Sequence, residues 1–126
     1  MKQPISAPDG APPKGPYTPA ILASGPTLYI SAQGPVDPQT GEVEASTFEA
    51  KAVQVFENIG AQLRAAGATW HNVVKITVFL RDMGNFDTMN EIYARYAKEP
   101  FPTRTTAQSN IGHAEIFVDC IAVLDS

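Results

Sequence analysis

Arg104 is the last Lys or Arg of a 126-residue chain, and it lies in the run FPTRTTAQSN, whose β-branched residues read as a strand. Charges in strands are paired or solvated in most proteins. The sequence that follows, TTAQSNIGHAEIFVDCIAVLDS, carries only acidic or neutral side chains. The planar, five-donor guanidinium can therefore meet a carboxylate of the chain or one carried by a small molecule. The first alternative is a structural salt bridge and the second is a carboxylate clamp. Glu115 and Asp119 are the nearby acids that could move protons. Tyr17, at the end of a Pro-rich loop, and Ser31, beside Tyr29, read on their own as packing and strand residues. Cys120 is the only cysteine, and His71 and His113 are the only histidines. One thiol and two separated imidazoles show no metal-site spacing, although carboxylates could help bind a hard cation.

Composition bounds what these groups can serve. The length is that of one domain spanning residues 1–126, with 44% hydrophobic and 17% charged residues. The net charge is −4 and the basic residues are scattered, which argues against a phosphate-tracking surface and hence against nucleic acid. A single cysteine excludes an internal disulfide and fits a reducing compartment. The N-terminal MKQPISAPDGAPPKGPY lacks a signal-peptide apolar core, and no apolar run approaches membrane-spanning length. These features lead to the expectation of a soluble, cytoplasmic protein.

The elements that must position the candidate residues follow from periodicity. A short strand is expected from Ile5–Ser6, and strands at Ala20–Ala23 and Thr27–Ser31 flank an SGP turn, with Leu28 and Ile30 facing away from Tyr29 and Ser31. A brief strand is expected near Glu42–Glu44. The S-T-F-E motif at Ser46 reads as a capping box opening a helix, whose apolar stripe is Phe48, Ala52, Val55, Phe56, Ile59 and Leu63 and whose end is Gly67. VVKITVFL is strand-like. Asn85 caps a second helix, with Phe86, Met89, Tyr93 and Tyr96 as its buried stripe. TRTTAQS and EIFVDCIAVL read as two final strands joined by a short turn at Asn110–Gly112. In the last of them Ile116, Val118, Cys120, Ala122 and Leu124 form an apolar face, with Glu115, Phe117 and Asp119 opposite. Two amphipathic helices among these strands imply an α+β sandwich with both helices on one sheet face. The other face would expose Phe117, Ile121 and Val123, so a homo-oligomer that covers it is expected.

The segments GPY (Gly15–Tyr17), YISAQGPVDPQTGEV (Tyr29–Val43), VVKITVFLRDMGNFDTMNEIYARY (Val73–Tyr96), FPTRTT (Phe101–Thr106) and DCIAV resemble, in order and spacing, the reactive intermediate deaminase (Rid, or YjgF) family. The resemblance implies a chorismate-mutase-like fold with a mixed sheet, a homotrimer with sites between subunits, and cofactor-independent hydrolysis of 2-enamines and 2-imines to 2-keto acids and ammonia. It implies that Arg104 holds the substrate carboxylate, that Tyr17 and Ser31 are site residues, and that Asn90 lies near the pocket. Thr106 stands where many members have a reactive cysteine, and Ala32 stands where a glycine is common. Phe117 stands where deaminating members carry a glutamate that positions or activates water. A phenyl ring cannot accept a proton, and losing a general acid or base costs about 10²–10⁴ in rate. Three outcomes stay open: Glu115 or Asp119 substitutes, the substrate needs little base assistance, or the protein binds small carboxylates as a non-catalytic pathway accessory. In the last two cases a larger apolar wall favours aromatic or branched ligands.

Overall fold

The computed structural model describes residues 1–125. Its strands are β1 (Lys2–Ile5), β2 (Ala20–Ala23), β3 (Thr27–Gln33), β4 (Val73–Leu80), β5 (Thr103–Gln108) and β6 (Ile116–Val123), and its long helices are α1 (Phe48–Ala65) and α2 (Phe86–Tyr96). β1 and β2 form an antiparallel ribbon, while the main sheet has the order β3-β6-β4-β5. Only β4 and β5 run parallel within it, joined through α2 as crossover, so the sheet is mixed. The expected α+β arrangement, two helices packed on a mixed sheet, is what the chain adopts.

α1 forms because its apolar residues recur at helical spacing. All six expected stripe residues are buried. Its start differs from the capping-box reading: Thr47, not Ser46, is the cap, and its side chain accepts a hydrogen bond from the Ala50 amide at 3.2 Å. Adjacent hydroxyl residues make either register plausible in sequence, and burial of Phe48 in the first turn selects the later one. The far end closes as expected at Gly67, whose φ of +75° lets the Ala68 and Gly67 amides donate to the Leu63 and Arg64 carbonyls at 2.8 and 3.0 Å. Asn85 does precede α2, but its side chain makes no capping bond. Asp82 instead caps the preceding 3-10 turn by accepting from the Gly84 amide.

Other expectations are corrected. The first strand begins at Lys2 and contains Pro4, which an isolated two-stranded ribbon tolerates. No strand forms at Glu42–Glu44: the Asp37 amide donates to Glu42 and the Gly41 amide to Asp37, so the segment closes on itself and offers no ladder. β5 and β6 are not joined by a short turn as neighbours. β4 lies between them, and the connection contains a 3-10 turn at Gly112–Ala114.

Glu115 also departs from its expected place. It precedes β6 in a left-handed conformation, φ 63°, and its carboxylate accepts from Lys51 of α1 at 2.8 Å. The same ammonium donates to the His113 carbonyl at 2.8 Å, which compensates the burial of the Lys51 charge.

Ile76, Val78 and Leu80 of β4 pair with Cys120, Val118 and Ile116 of β6, and all six sit in the core beneath the helices. The opposite face carries Tyr29 and Ser31 of β3, Lys75, Thr77 and Phe79 of β4, and Phe117, Asp119 and Ile121 of β6. Among the described residues both long helices pack on the Ile76 side instead. Val123, expected to be part of it, is buried, with the Gly25 turn packed against it. Among the described residues no helix is long and apolar enough to cross a membrane.

The capping assignment is testable by urea denaturation: Thr47→Ala should lose about 1 kcal/mol, whereas Ser46→Ala should stay within about 0.5 kcal/mol of the parent chain.

Candidate functional site

Arg104 sits on β5, an edge strand, and pairs in register with Ile76, while Thr106 pairs with Val78. Strand alternation therefore turns both residues toward the helix side of the sheet. There the guanidinium carbon lies 5.1 Å from the Tyr93 ring centre and 5.7 Å from that of Phe86, both on α2, and 5.8 Å from that of Tyr17. These are cation–π distances. Phe86, Asn90 and Tyr93 recur at helical spacing, so one face of α2 delivers all three to the neighbourhood of β5.

The loop bearing Tyr17 is fastened to the same strand. The Thr18 amide donates to the Pro102 carbonyl at 3.0 Å, and the Thr18 hydroxyl donates to the Phe101 carbonyl. The Tyr17 hydroxyl accepts from the Lys14 amide at 3.2 Å. A Cβ placed on Gly15 would lie 3.8 Å from the Arg104 guanidinium, so this loop passes directly over it.

The salt-bridge alternative for Arg104 is not realised. Among the described residues the single ion pair is Lys51–Glu115. Burial pulls the Arg104 pKa down, with Tyr93 and Tyr17 opposing that shift. Even so, a guanidinium keeps its charge at neutral pH. Its Nη1 is buried without a hydrogen-bond partner, as are Asn90 Oδ1, the Tyr93 hydroxyl and Thr106 Oγ1. A buried polar group left unbonded costs about 1–3 kcal/mol. All four orphaned atoms lie on α2 and β5.

Ser31, Ala32, Phe117 and Asp119 form a second group on the opposite sheet face. The β3–β6 ladder pairs Ile30 with Cys120 and then Gln33 with Val118, so Ser31 and Ala32 occupy a bulge. Asp119 stands opposite Thr77 and Phe117 opposite Phe79. Within one chain this group cannot share a pocket with Arg104. It lies on the other face and, at the usual spacing, two to three strands or about 10–14 Å away across the sheet. Tyr17, Asn90 and Thr106 go with Arg104, whereas Ser31, Ala32, Phe117 and Asp119 do not. Glu115 belongs to neither group, because its carboxylate is engaged by Lys51.

Two residues of the cation's surroundings are ones that the sequence reading missed as functional. Phe86 and Tyr93 carry the same periodicity as any core stripe, and only their packing against β5 marks them. Cys120 is buried as expected. Among the described residues no cluster of His, Cys, Asp and Glu could hold a metal ion.

Burial pushes the Cys120 thiol up to about 12, and it pushes the Tyr93 phenol well above its usual range, against the opposing charge of Arg104. Both groups hold their protons more tightly when folded than when unfolded. The stability they contribute is therefore fully present at neutral pH and lost as pH rises above the unfolded thiol's value of about 8.5. Urea midpoints should fall between pH 7 and pH 10, and a thiol reagent at pH 8 should label Cys120 only as fast as the chain opens.

Comparison with known proteins places this geometry. The family model described as endoribonuclease L-PSP matches residues 8–123. A RutC family protein of Pyrococcus horikoshii is 39% identical over 98% of this chain and 97% of its own. The human 2-iminobutanoate/2-iminopropanoate deaminase is 44% identical over 75% of this chain and 68% of its own. The crystal structure of RidA from the Antarctic bacterium Psychrobacter sp. PAMC 21119 superposes with a TM-score of 0.75 at 35% identity, covering 97% of this chain and 99% of that one. The chain belongs to the endoribonuclease L-PSP family, the YjgF/RidA proteins.

Proposed function

We propose that this protein hydrolyses reactive 2-imino and 2-enamino acids, adding water across the C=N bond and releasing ammonia and a 2-keto acid. The observation that carries this reading is Arg104, a partly desolvated cation with a buried N–H and no carboxylate partner among the described residues, in a family that includes a 2-iminobutanoate/2-iminopropanoate deaminase. In this reading the guanidinium binds the substrate carboxylate bidentately. Tyr17 closes over it, and Asn90 and Thr106 line the same pocket. Tight placement of the carboxylate presents the imine carbon to water in one orientation. No metal or organic cofactor enters the scheme.

With the two residue groups on opposite sheet faces, this reading has a complete site shared between subunits. A second copy laying its helix-free face, with Ser31, Ala32, Phe117 and Asp119, against the Arg104 edge would unite them. A cyclic homotrimer does this three times over and covers Phe117 and Ile121. Ser31 and backbone groups then place the nitrogen and the water. Asp119, on the face that carries Phe117, takes the acid/base role. Glu115 is the weaker candidate, because its carboxylate is committed to Lys51.

Phe117 favours a second reading: a binding protein that retains the carboxylate clamp without turnover, since a benzyl group supplies no general base. An RNA-directed role, suggested by the family model's description, sits poorly with a net charge of −4. We place the protein in the cytoplasm.

Imines generated in situ by an amino-acid oxidase decide between the first two readings. Keto acid and ammonia should form faster with the protein present, Arg104→Ala should abolish the acceleration, and Phe117→Glu should raise the rate by about 10²-fold or more. No acceleration with either small or aromatic imines eliminates catalysis and leaves the binding role. In sedimentation the 13.5 kDa chain should run as three copies, and a stable monomer would exclude the shared site.

A further inference from the structure

Phe117 does more than leave a base out. Its ring lies across Gly34, the residue that follows β3. A Cβ built on Gly34 would stand 2.9 Å from Phe117 Cε1, closer than side-chain carbons tolerate, and 3.4 Å from Cδ1. Glycine and ring therefore fit each other, because the space a side chain would need at position 34 is filled by the ring.

The seat beneath the ring is fixed from the opposite side of the molecule. Asn58 of α1 donates through Nδ2 to the Gly34 carbonyl at 3.1 Å and to the Val36 carbonyl at 2.9 Å. Gln54 in turn donates to Asn58 Oδ1 at 2.9 Å, which sets the amide orientation. Phe79 stands opposite Phe117 in the β4–β6 register, on the same face. The ring is thus backed by a pinned loop on one flank and an aromatic neighbour on the other. Its remaining surface forms an apolar wall beside Asp119, which lies two residues along the strand, about 6–7 Å away.

We propose that Phe117 seated on Gly34 is the specificity determinant of the site, and that it selects 2-imino and 2-keto acids with large apolar, above all aromatic, side chains. This rests on the shared-site reading given above. A carboxylate held by Arg104 fixes one end of the ligand, and the wall then meets the substituent at the other end. A methyl group covers little of such a ring, whereas a benzyl group buries against it. Small differences in apolar fit are worth about 10-fold or more in discrimination.

Calorimetric titration with pyruvate and with 3-phenylpyruvate tests this without requiring turnover. The parent chain should bind phenylpyruvate at least about tenfold more tightly. Phe117→Glu should bring the two affinities to within about twofold. Gly34→Ala should also lower the ratio while circular dichroism stays unchanged, because the atom a new methyl group meets belongs to a side-chain ring and not to backbone. Equal affinities in the parent chain, binding of neither acid, or a ratio that neither substitution alters would overturn the proposal. Absence of imine turnover with the ratio intact removes the deaminase reading alone, and turnover without a size preference removes the specificity proposal alone.

Discussion

A pleated strand sends neighbouring residues to opposite faces of its sheet, and this alternation governs how the whole molecule is organised. Once Ile76, Val78 and Leu80 are committed to the core, their partners in β5 and β6 have no freedom left. Arg104 and Thr106 must face the helices, and Phe117 and Asp119 must face away. The sheet therefore separates the residues around the Arg104 guanidinium from Ser31, Ala32, Phe117 and Asp119, the two groups that the proposed site combines. A second copy of the chain is the simplest device that reunites them.

The surroundings of Arg104 show how a half-buried cation can be kept unpaired. A protein carboxylate at the usual distance would satisfy the guanidinium and block the clamp. Three aromatic faces instead stabilise the charge by roughly 0.5–2 kcal/mol each without occupying its in-plane donors. Nη1 is left without a hydrogen-bond partner among the described residues, the one that the proposed carboxylate clamp would supply. The arrangement depends on α2 crossing between β4 and β5, since the helix that makes the crossover also supplies Phe86 and Tyr93.

Much of the fold was legible in the sequence because it is written in periodicity. The stripe of α1, the alternation in VVKITVFL, and the two faces of the last strand, apart from Glu115 and Val123 at its ends, follow from the spacing of apolar residues. Terminal details were not, because they depend on competition between neighbours: Thr47 outcompetes Ser46 as cap, and the residues near Glu42 find no ladder. Glu115 shows the same limit within the candidate site. Its position two residues before Phe117 suggested a shared face, but the left-handed turn before β6 and the pull of Lys51 remove it from that face.

The sequence by itself determined the class of fold, the helix and strand faces, and Arg104 as the residue to watch, because those follow from local spacing and from a charge with no basic neighbour after it. Tertiary structure decided what surrounds that charge. Strand order placed β5 at an edge and β4 between the last two strands, and no local pattern encodes which strands become neighbours. Only that order shows that Arg104 is flanked by aromatic rings and, among the described residues, has no salt-bridge partner. It also shows that Phe117 lies on the other face, against Gly34, which stands far earlier in the chain. Contacts of this kind join residues far apart in sequence, and they exist only once the sheet has closed.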